Sequence, residues 1–440
     1  MNKLNPLKEL VTKQKANKHV GIYSACSANE YVIKAVLKRG KSDNSCVLIE
    51  ATANQCDQNG GYTGMKPIDF KNFVFKIAKE VGFDTNKLFL GGDHLGPLTW
   101  SKLNEKEAMI NSKELIRAYV LAGFTKIHID TSMRVGDDDT EISLSTSIIA
   151  KRGAILAKVA EDAYQELLKK DKNAIRPVYI VGSEVPIPGG AQEAEDKVQV
   201  TSVADLKATI DTFKEAFEAL GLNSTWDDVI GIVVQPGVEY GDAEIIEYDA
   251  KAAKALTSAL KEYPNLIFEG HSTDYQTKDE LKAMVKDGIA ILKVGPALTF
   301  AMREGLFNLC HIEEALYYGT DVPTSHFIDV LEESMLAKPN NWNKHYHGDD
   351  NKLRIARKYS FSDRARYYMP DPSVGSSIEL LMKNLRSAPI PLTLLSQYMP
   401  IAYTKVREKQ LTLDPEELLI DRIINCIDEY LYASNQSNLL

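Results

Sequence analysis

The chain has 440 residues, with 52 Lys+Arg against 61 Asp+Glu and a formal net charge of −9. Its 44% hydrophobic and 26% charged residues are those of a globular protein large enough to bury a core without disulfides or metals. The acidic balance argues against a general nucleic-acid or anionic-membrane binder, which needs surplus cations, but leaves room for a local basic pocket.

Five cysteines, odd in number and with no C-x-x-C pair, support neither a disulfide framework nor a four-thiolate zinc site. Residues 1–15 carry no apolar signal-peptide run. No stretch approaches the roughly 18 apolar residues of a membrane span, so a cytoplasmic enzyme or enzyme subunit is expected, with neither membrane nor nucleic acid as partner.

In chain order, short apolar runs alternate with helix-period segments. The runs are His19–Tyr23, Cys46–Glu50, Leu88–Gly91, Lys126–Asp130, Pro177–Val181, Val229–Gln235, Leu266–Glu269 and Ile289–Val294. Each is short and continuously hydrophobic, as parallel strands covered on both faces are. Between them, Ser27-Ala-Asn-Glu30 reads as a capping box and Gly40 as the stop of its helix. Pro67 suits a helix first turn, with Gly82, Gly123, Gly221 and Gly288 closing this and three other helices. Eight strand–helix units predict an α/β fold, a (β/α)8 TIM barrel over residues 1–320, with an open doubly wound sheet as the alternative. From 321 to 440 the pattern changes to a helical C-terminal extension packed on the barrel, with helices near Ser376–Leu385, Leu392–Val406 and Pro415–Tyr432. A homo-oligomer is expected.

Catalytic groups of a closed barrel come from the C-terminal ends of its strands. Here those ends carry Cys26, Glu50 and Asn54, Asp93-His94, His128 and Asp130, Glu184, Gln235, His271-Ser-Thr-Asp274, and Lys293-Val-Gly295. Neutral imidazole is the commonest ligand of a divalent transition metal, and a catalytic zinc needs three protein ligands and an open position. His94 and His271 with Glu184 would satisfy that; His128, flanked by Ile127 and Ile129, ranks below them because it could point in or out. Any one histidine also fits a structural role, and His345-Tyr-His347 falls in a polar loop outside the barrel ends. Asp93 is the candidate general base, with Asp274, Asp130 and Glu50 as further candidates that could instead bond loop N–H groups. Lys293 could neutralise a phosphate, form a Schiff base, or pair with a barrel carboxylate.

Ser272, Thr273 and Gly295 follow strands seven and eight, where barrels often cradle a phosphate. Asn54 and Gln235 are further substrate-binding candidates. No nucleotide-binding glycine fingerprint is present. The stretch from Lys352 to Arg366, which includes Arg364, is basic and threaded with Tyr and Phe. It could bind a substrate phosphate or anchor a partner subunit.

The strings YSACSANEYVIKAVL, GGDHLGP, VVQPGVEY, EGHSTDYQ, ILKVGPALTFAMREGL and YSFSDRARYYM resemble those of the Z-type (GatZ/KbaZ) subunit of tagatose-1,6-bisphosphate aldolase, over nearly the whole chain. The resemblance implies a class II aldolase-like barrel, a divalent metal (zinc), a ketohexose or ketohexose phosphate as substrate, and a separate catalytic aldolase subunit as partner. Members of the family are also assigned C4 epimerase activity. The class II pattern of base and metal ligand on strand three is matched by Asp93 and His94, the histidine after strand seven by His271, and the Lys-Val of strand eight by Lys293-Val294. The metal-binding histidine after strand six has no counterpart in Gln235-Pro-Gly-Val-Glu239. Either Glu184, Gln235 or Glu239 replaces it, or the metal site has decayed and the chain mainly stabilises its partner. The expected chemistry is a retro-aldol opening of C3–C4, which gives aldolase activity if the aldehyde leaves and C4 epimerisation if it re-adds by its other face.

Overall fold

The computed structural model describes residues 5–183 and 198–440. Eight parallel strands close into a barrel: β1 (Ile22–Cys26), β2 (Val47–Thr52), β3 (Leu88–Leu95), β4 (Lys126–Ile129), β5 (Val178–Val181), β6 (Val229–Val234), β7 (Ile267–Gly270) and β8 (Ile289–Val294). Each pairs with its sequence neighbours, and β1 pairs with β8, so no edge is left open. The expected closure holds. β8 has the residues the pattern predicts, whereas β1 lies three residues later than its predicted run and β3 continues through Asp93 and His94.

Alternate strand residues point inward, and this period of two sorts the barrel interior into layers. At its N-terminal end Ile22, Leu48, Phe89, Ile180, Ile267 and Ile291 form an apolar layer. Leu7 and Leu10, from the segment that leads into the helix Lys8–Lys15, close it from below. Two residues further along each strand the interior turns ionic, with Ser24, Glu50, Lys126, Glu269 and Lys293 all buried. Two residues further again come Cys26, Asp93, His128 and His271, at the mouth.

Helix ends follow the expected chemistry with two corrections. Pro67 opens Pro67–Val81, and Gly82 and Gly123 are left-handed caps of their helices. The cap of Glu30–Ser42 is Asn29, whose side chain accepts from Tyr31 and Val32 N–H, rather than Ser27. Gly40 does not stop that helix; it lies inside it, where a Cβ would come within 2.4 Å of Val47.

After the helix Pro296–Tyr317 the chain is helical, with Phe327–Ala337, Asp350–Tyr359, Pro372–Ser387 and Pro415–Ser434 as main elements. The predicted Leu392–Val406 helix is two, Leu392–Tyr398 and Pro400–Arg407, because Pro400 cannot continue a helix through Met399. The final helix is sewn to the barrel. The Tyr430 hydroxyl donates to Thr273 O (2.9 Å), Gly21 N to Ser434 O (2.7 Å), Tyr23 N to Gln436 Oε1 (3.1 Å), and Gln436 Nε2 to Cys46 O (2.7 Å). No described helix is long and apolar enough to cross a membrane.

Candidate active site

Successive residues of a strand face opposite sides of the sheet, so Asp93 and His94 should not both reach the interior. A bulge allows it. Gly92 is paired with Ile127 and Leu95 with Ile129, so three steps on β3 oppose two on β4. His94 takes up the difference with a positive φ of 49°. The glycines before and after are needed for space: a Cβ on Gly91 would lie 2.6 Å from the Glu50 side chain, and one on Gly96 1.7 Å from Asp130 O.

The bulge brings Asp93, His94, His128 and His271 together, with one ligand atom of each within 4.8 Å of all the others. Each imidazole is oriented by a carboxylate. His94 Nδ1 lies 2.7 Å from Asp130 Oδ2, His271 Nε2 3.0 Å from Glu269 Oε1, and His128 Nδ1 2.9 Å from Asp93 Oδ1. Asp130 is in turn held by the Ser132 N–H (3.0 Å) and hydroxyl (2.7 Å). For His94 and His271 such carboxylate–imidazole pairs fix ring and tautomer as at metal sites, leaving the other ring nitrogen for the ion, whereas His128 Nδ1 also faces the His94 N–H (3.1 Å).

Below the imidazoles, Lys126 Nζ sits 2.8 Å from Glu50 and 2.7 Å from Glu269, and Lys293 Nζ lies 3.0 Å from Glu50 and 2.9 Å from Asp93. Burial opposes charge on Asp93, but the Lys293 ammonium and the His94 and His128 imidazoles hold its carboxyl well below the usual range. Burial likewise opposes charge on Lys293, yet Asp93 and neighbouring groups hold the ammonium well above its ordinary value. Of the three roles open to Lys293, the ion pair with a barrel carboxylate is the one the structure shows.

Two observations test whether a divalent cation fits. His128 Nε2 is buried with no hydrogen-bond partner among the described residues, an arrangement that is costly unless a further group engages it. The four carboxylates Glu50, Asp93, Asp130 and Glu269 formally outnumber the lysines Lys126 and Lys293 by two, all at 0–4% exposure, which is the charge of one divalent ion. Burial also drives His271 down to about 4, so it is a neutral imidazole, the form that ligates. The buried Asp/His cluster is thus able to coordinate a divalent metal ion.

Above the cluster a pocket opens, lined by Cys26, Asn54, Gln55, Tyr62, Tyr240, Ser272, Asp274, Gly295, Arg366 and Tyr367 besides Asp93, His94, His271 and Lys293. Its outer wall comes from the C-terminal extension. The Arg366 guanidinium donates to Asp363 O (2.9 Å) and the Tyr367 hydroxyl (3.1 Å). Arg364 is 5% exposed, its Nε has no hydrogen-bond partner among the described residues, and Nη2 meets His345 Nδ1 (3.1 Å). Among the described residues no carboxylate pairs with either arginine. Burial lowers the Arg364 pKa, with the Arg366 charge acting in the same direction.

The model of the D-tagatose-1,6-bisphosphate aldolase subunit GatZ/KbaZ-like family matches residues 7–435. The chain belongs to the GatZ/KbaZ-like family. A solved structure described as a probable tagatose 6 phosphate kinase from Sinorhizobium meliloti 1021 is 41% identical over 94% of this chain and 100% of its own, with a TM-score of 0.85. The YdjI aldolase of Escherichia coli K12 (14% identity, 86% of this chain and 100% of that one, TM-score 0.41) is far more distant. So is a fructose-bisphosphate aldolase of Campylobacter jejuni (15% identity, 87% and 92%, TM-score 0.43).

Within this GatZ/KbaZ-like site, Asp93, His94 and His271 converge as expected, and His128, ranked below them from sequence, supplies the third imidazole. Glu184 lies outside the described residues. Gln235 is not at the pocket: its side chain accepts from Gly237 and Val238 N–H at 2.8 and 3.0 Å. Glu239 turns back to Tyr240 N (2.9 Å). Glu50 is sealed in the ionic layer, where Ser24 also donates to it (2.5 Å). Asp130 bonds His94 Nδ1 and does not line the pocket.

Asn54, Ser272, Lys293 and Gly295 line the pocket, but Thr273 points away, its hydroxyl donating to Lys293 O (2.7 Å). Of the basic stretch, Arg366 reaches the wall and Arg364 stands behind Tyr367. Tyr62, Gln55 and Tyr240 carry no distinguishing pattern in the sequence; only the fold brings them to the mouth.

Proposed function

We propose that this chain holds a divalent cation, zinc by its three-imidazole donor set, and breaks and remakes the C3–C4 bond of a ketohexose phosphate. The observation that carries the reading is the convergence of Asp93, His94, His128 and His271, all but His128 lining a pocket walled by Arg366, which has no carboxylate partner among the described residues. The bound ion would supply Lewis-acid polarisation of the C2 carbonyl. Asp93, kept ionised by Lys293, accepts the proton of the C4 hydroxyl. The C4 oxygen then forms the carbonyl of a three-carbon aldehyde, while the C3–C4 electron pair passes to C3 and C2 and leaves an enediolate. Lys293, 2.9 Å from Asp93, keeps fixed positive charge beneath the reacting carbons.

Departure of the aldehyde makes the reaction an aldol cleavage. Re-addition of C3 to the aldehyde's other face, with Asp93 returning the proton, inverts C4. Neither route consumes an oxidant or reductant. Arg366 and the Tyr367 hydroxyl, with Arg364 behind them, suit the substrate's phosphate. The lack of a glycine-rich nucleotide loop in the sequence favours this reading over the phosphoryl transfer named for the Sinorhizobium relative.

The test is metal analysis of the purified chain with a panel of tagatose 6-phosphate, fructose 6-phosphate and the 1,6-bisphosphates. Turnover lost in chelator and in His94→Ala is expected; turnover indifferent to both defeats the proposal. The family's description as an aldolase subunit favours a second reading, a non-catalytic chain that stabilises a class II aldolase partner. Inertness alone, rescue only in a mixture with such a subunit, and indifference of that mixture to His94→Ala would establish it.

A further inference from the structure

Barrel enzymes commonly seat a phosphate on free N–H groups of the loops after the seventh and eighth strands and of the helix that follows. After the eighth strand, in the first turn of the helix that follows it, those groups are already taken. Asp274 Oδ1 accepts from Gly295 N at 3.0 Å and from Ala297 N at 2.8 Å. Pro296 has no N–H, and Leu298 and Thr299 donate to Gly295 O at 3.1 and 3.4 Å. One turn deeper, Asp363 accepts from the Thr299 hydroxyl at 2.6 Å and from Arg303 Nε at 2.9 Å. The positive end of the helix Pro296–Tyr317 is therefore occupied by two carboxylates of the chain itself. Asp274 is 3% exposed and still lines the pocket. A phosphate arriving at this turn would meet a carboxylate and no free first-turn N–H, whereas the wall offers Arg366, a cation with no carboxylate partner among the described residues.

We propose that Asp274 is a specificity-determining residue: it fills the phosphate-binding turn with a built-in anion, so the site takes a ketohexose with one phosphate, at the end that reaches Arg366, and rejects a second phosphate at C1. The inference rests on the sugar-phosphate reading above and adds to it which phosphate is admitted and which residue decides. Selectivity of this kind comes from repulsion of the unwanted ligand as much as from attraction of the wanted one.

The experiment is calorimetric binding of fructose 6-phosphate, fructose 1-phosphate and fructose 1,6-bisphosphate to the full-length chain and to Asp274→Ala and Asp274→Asn. The wild type is expected to bind the 6-phosphate at least tenfold more tightly than either ligand phosphorylated at C1. Asp274→Ala, which frees two N–H groups, should raise the relative affinity for the bisphosphate at least tenfold. Asp274→Asn keeps an acceptor for both N–H groups and protects the fold; it should give a smaller change in the same direction. A wild type that binds the bisphosphate as well as the 6-phosphate, or a ratio unmoved in both variants, overturns the role of Asp274 while leaving the sugar-phosphate reading intact. A wild type that binds none of the three phosphates overturns both.

Discussion

Lys126 is fully buried and makes ion pairs with two carboxylates, so its removal differs in kind from the loss of a surface charge. Lys126→Met would leave Glu50 and Glu269 short of a cation in the barrel interior, and such a loss typically costs about 3–5 kcal/mol. Urea unfolding should show a drop of that size; a change near zero would mean the ionic layer is compensated by other means. Asp274 titrates in the opposite sense to Asp93. Its burial outweighs its bonds to Ala297 and Gly295 and raises its pKa to about 6. The sign follows by linkage: a folded-state value above the unfolded one of roughly 3.9 gives stability that is complete below that value and is lost as pH rises to about 6. Relative to Asp274→Asn, the wild type should therefore lose about 2 kcal/mol of unfolding free energy between pH 4 and 6.5. Paired chemical denaturations across that range check it, and parallel curves would refute it.

At the scale of elements, the bulge in β3 is the device that makes a site out of a strand. It places two consecutive side chains in the barrel mouth and sets the His94 N–H 3.1 Å from His128 Nδ1, tying β3 to β4 where the imidazoles meet. Gly96 makes the bulge possible by letting β3 close against the Asp130 carbonyl. Gly96→Ala should destabilise the protein by about 1–3 kcal/mol through overpacking and, by displacing Asp130, loosen metal binding as well. A fully stable Gly96→Ala chain with unaltered metal content would show that this contact does not hold the site together. The strings GGDHLGP and EGHSTDYQ thus encode geometry as well as ligands. The bulge itself is not legible in them, because a one-residue mismatch between two strands depends on how both are paired.

For the whole molecule, the barrel contributes the floor of the pocket and the extension part of its wall. Arg366→Ala should weaken binding of a phosphorylated ketohexose by about 10–100-fold, as loss of a charge-assisted contact to phosphate does, with little change in affinity for the unphosphorylated sugar. Titration of both ligands checks this. Equal weakening for the two would make Arg366 a general wall residue and no phosphate anchor. The helix Pro415–Ser434 and Gln436 hold the extension on β1 and β2, so barrel and extension share one core.

The eight apolar runs, their alternation with helices, and the polar groups where the runs stop made the barrel and the candidates Asp93, His94 and His271 legible in the sequence, because a linear chain displays directly where each apolar run begins and ends. Which way His128 points, whether Lys293 is free or paired, and which arginine of the basic stretch reaches the pocket were decided by the tertiary structure alone. Each depends on strand register or on the packing of segments distant in the chain, and no local pattern carries that information. The turns after β7 and β8 show the division most sharply. Their serine, threonine and glycine read as a phosphate cradle in the sequence, and only the folded chain reveals that Asp274 accepts from the Gly295 and Ala297 N–H groups.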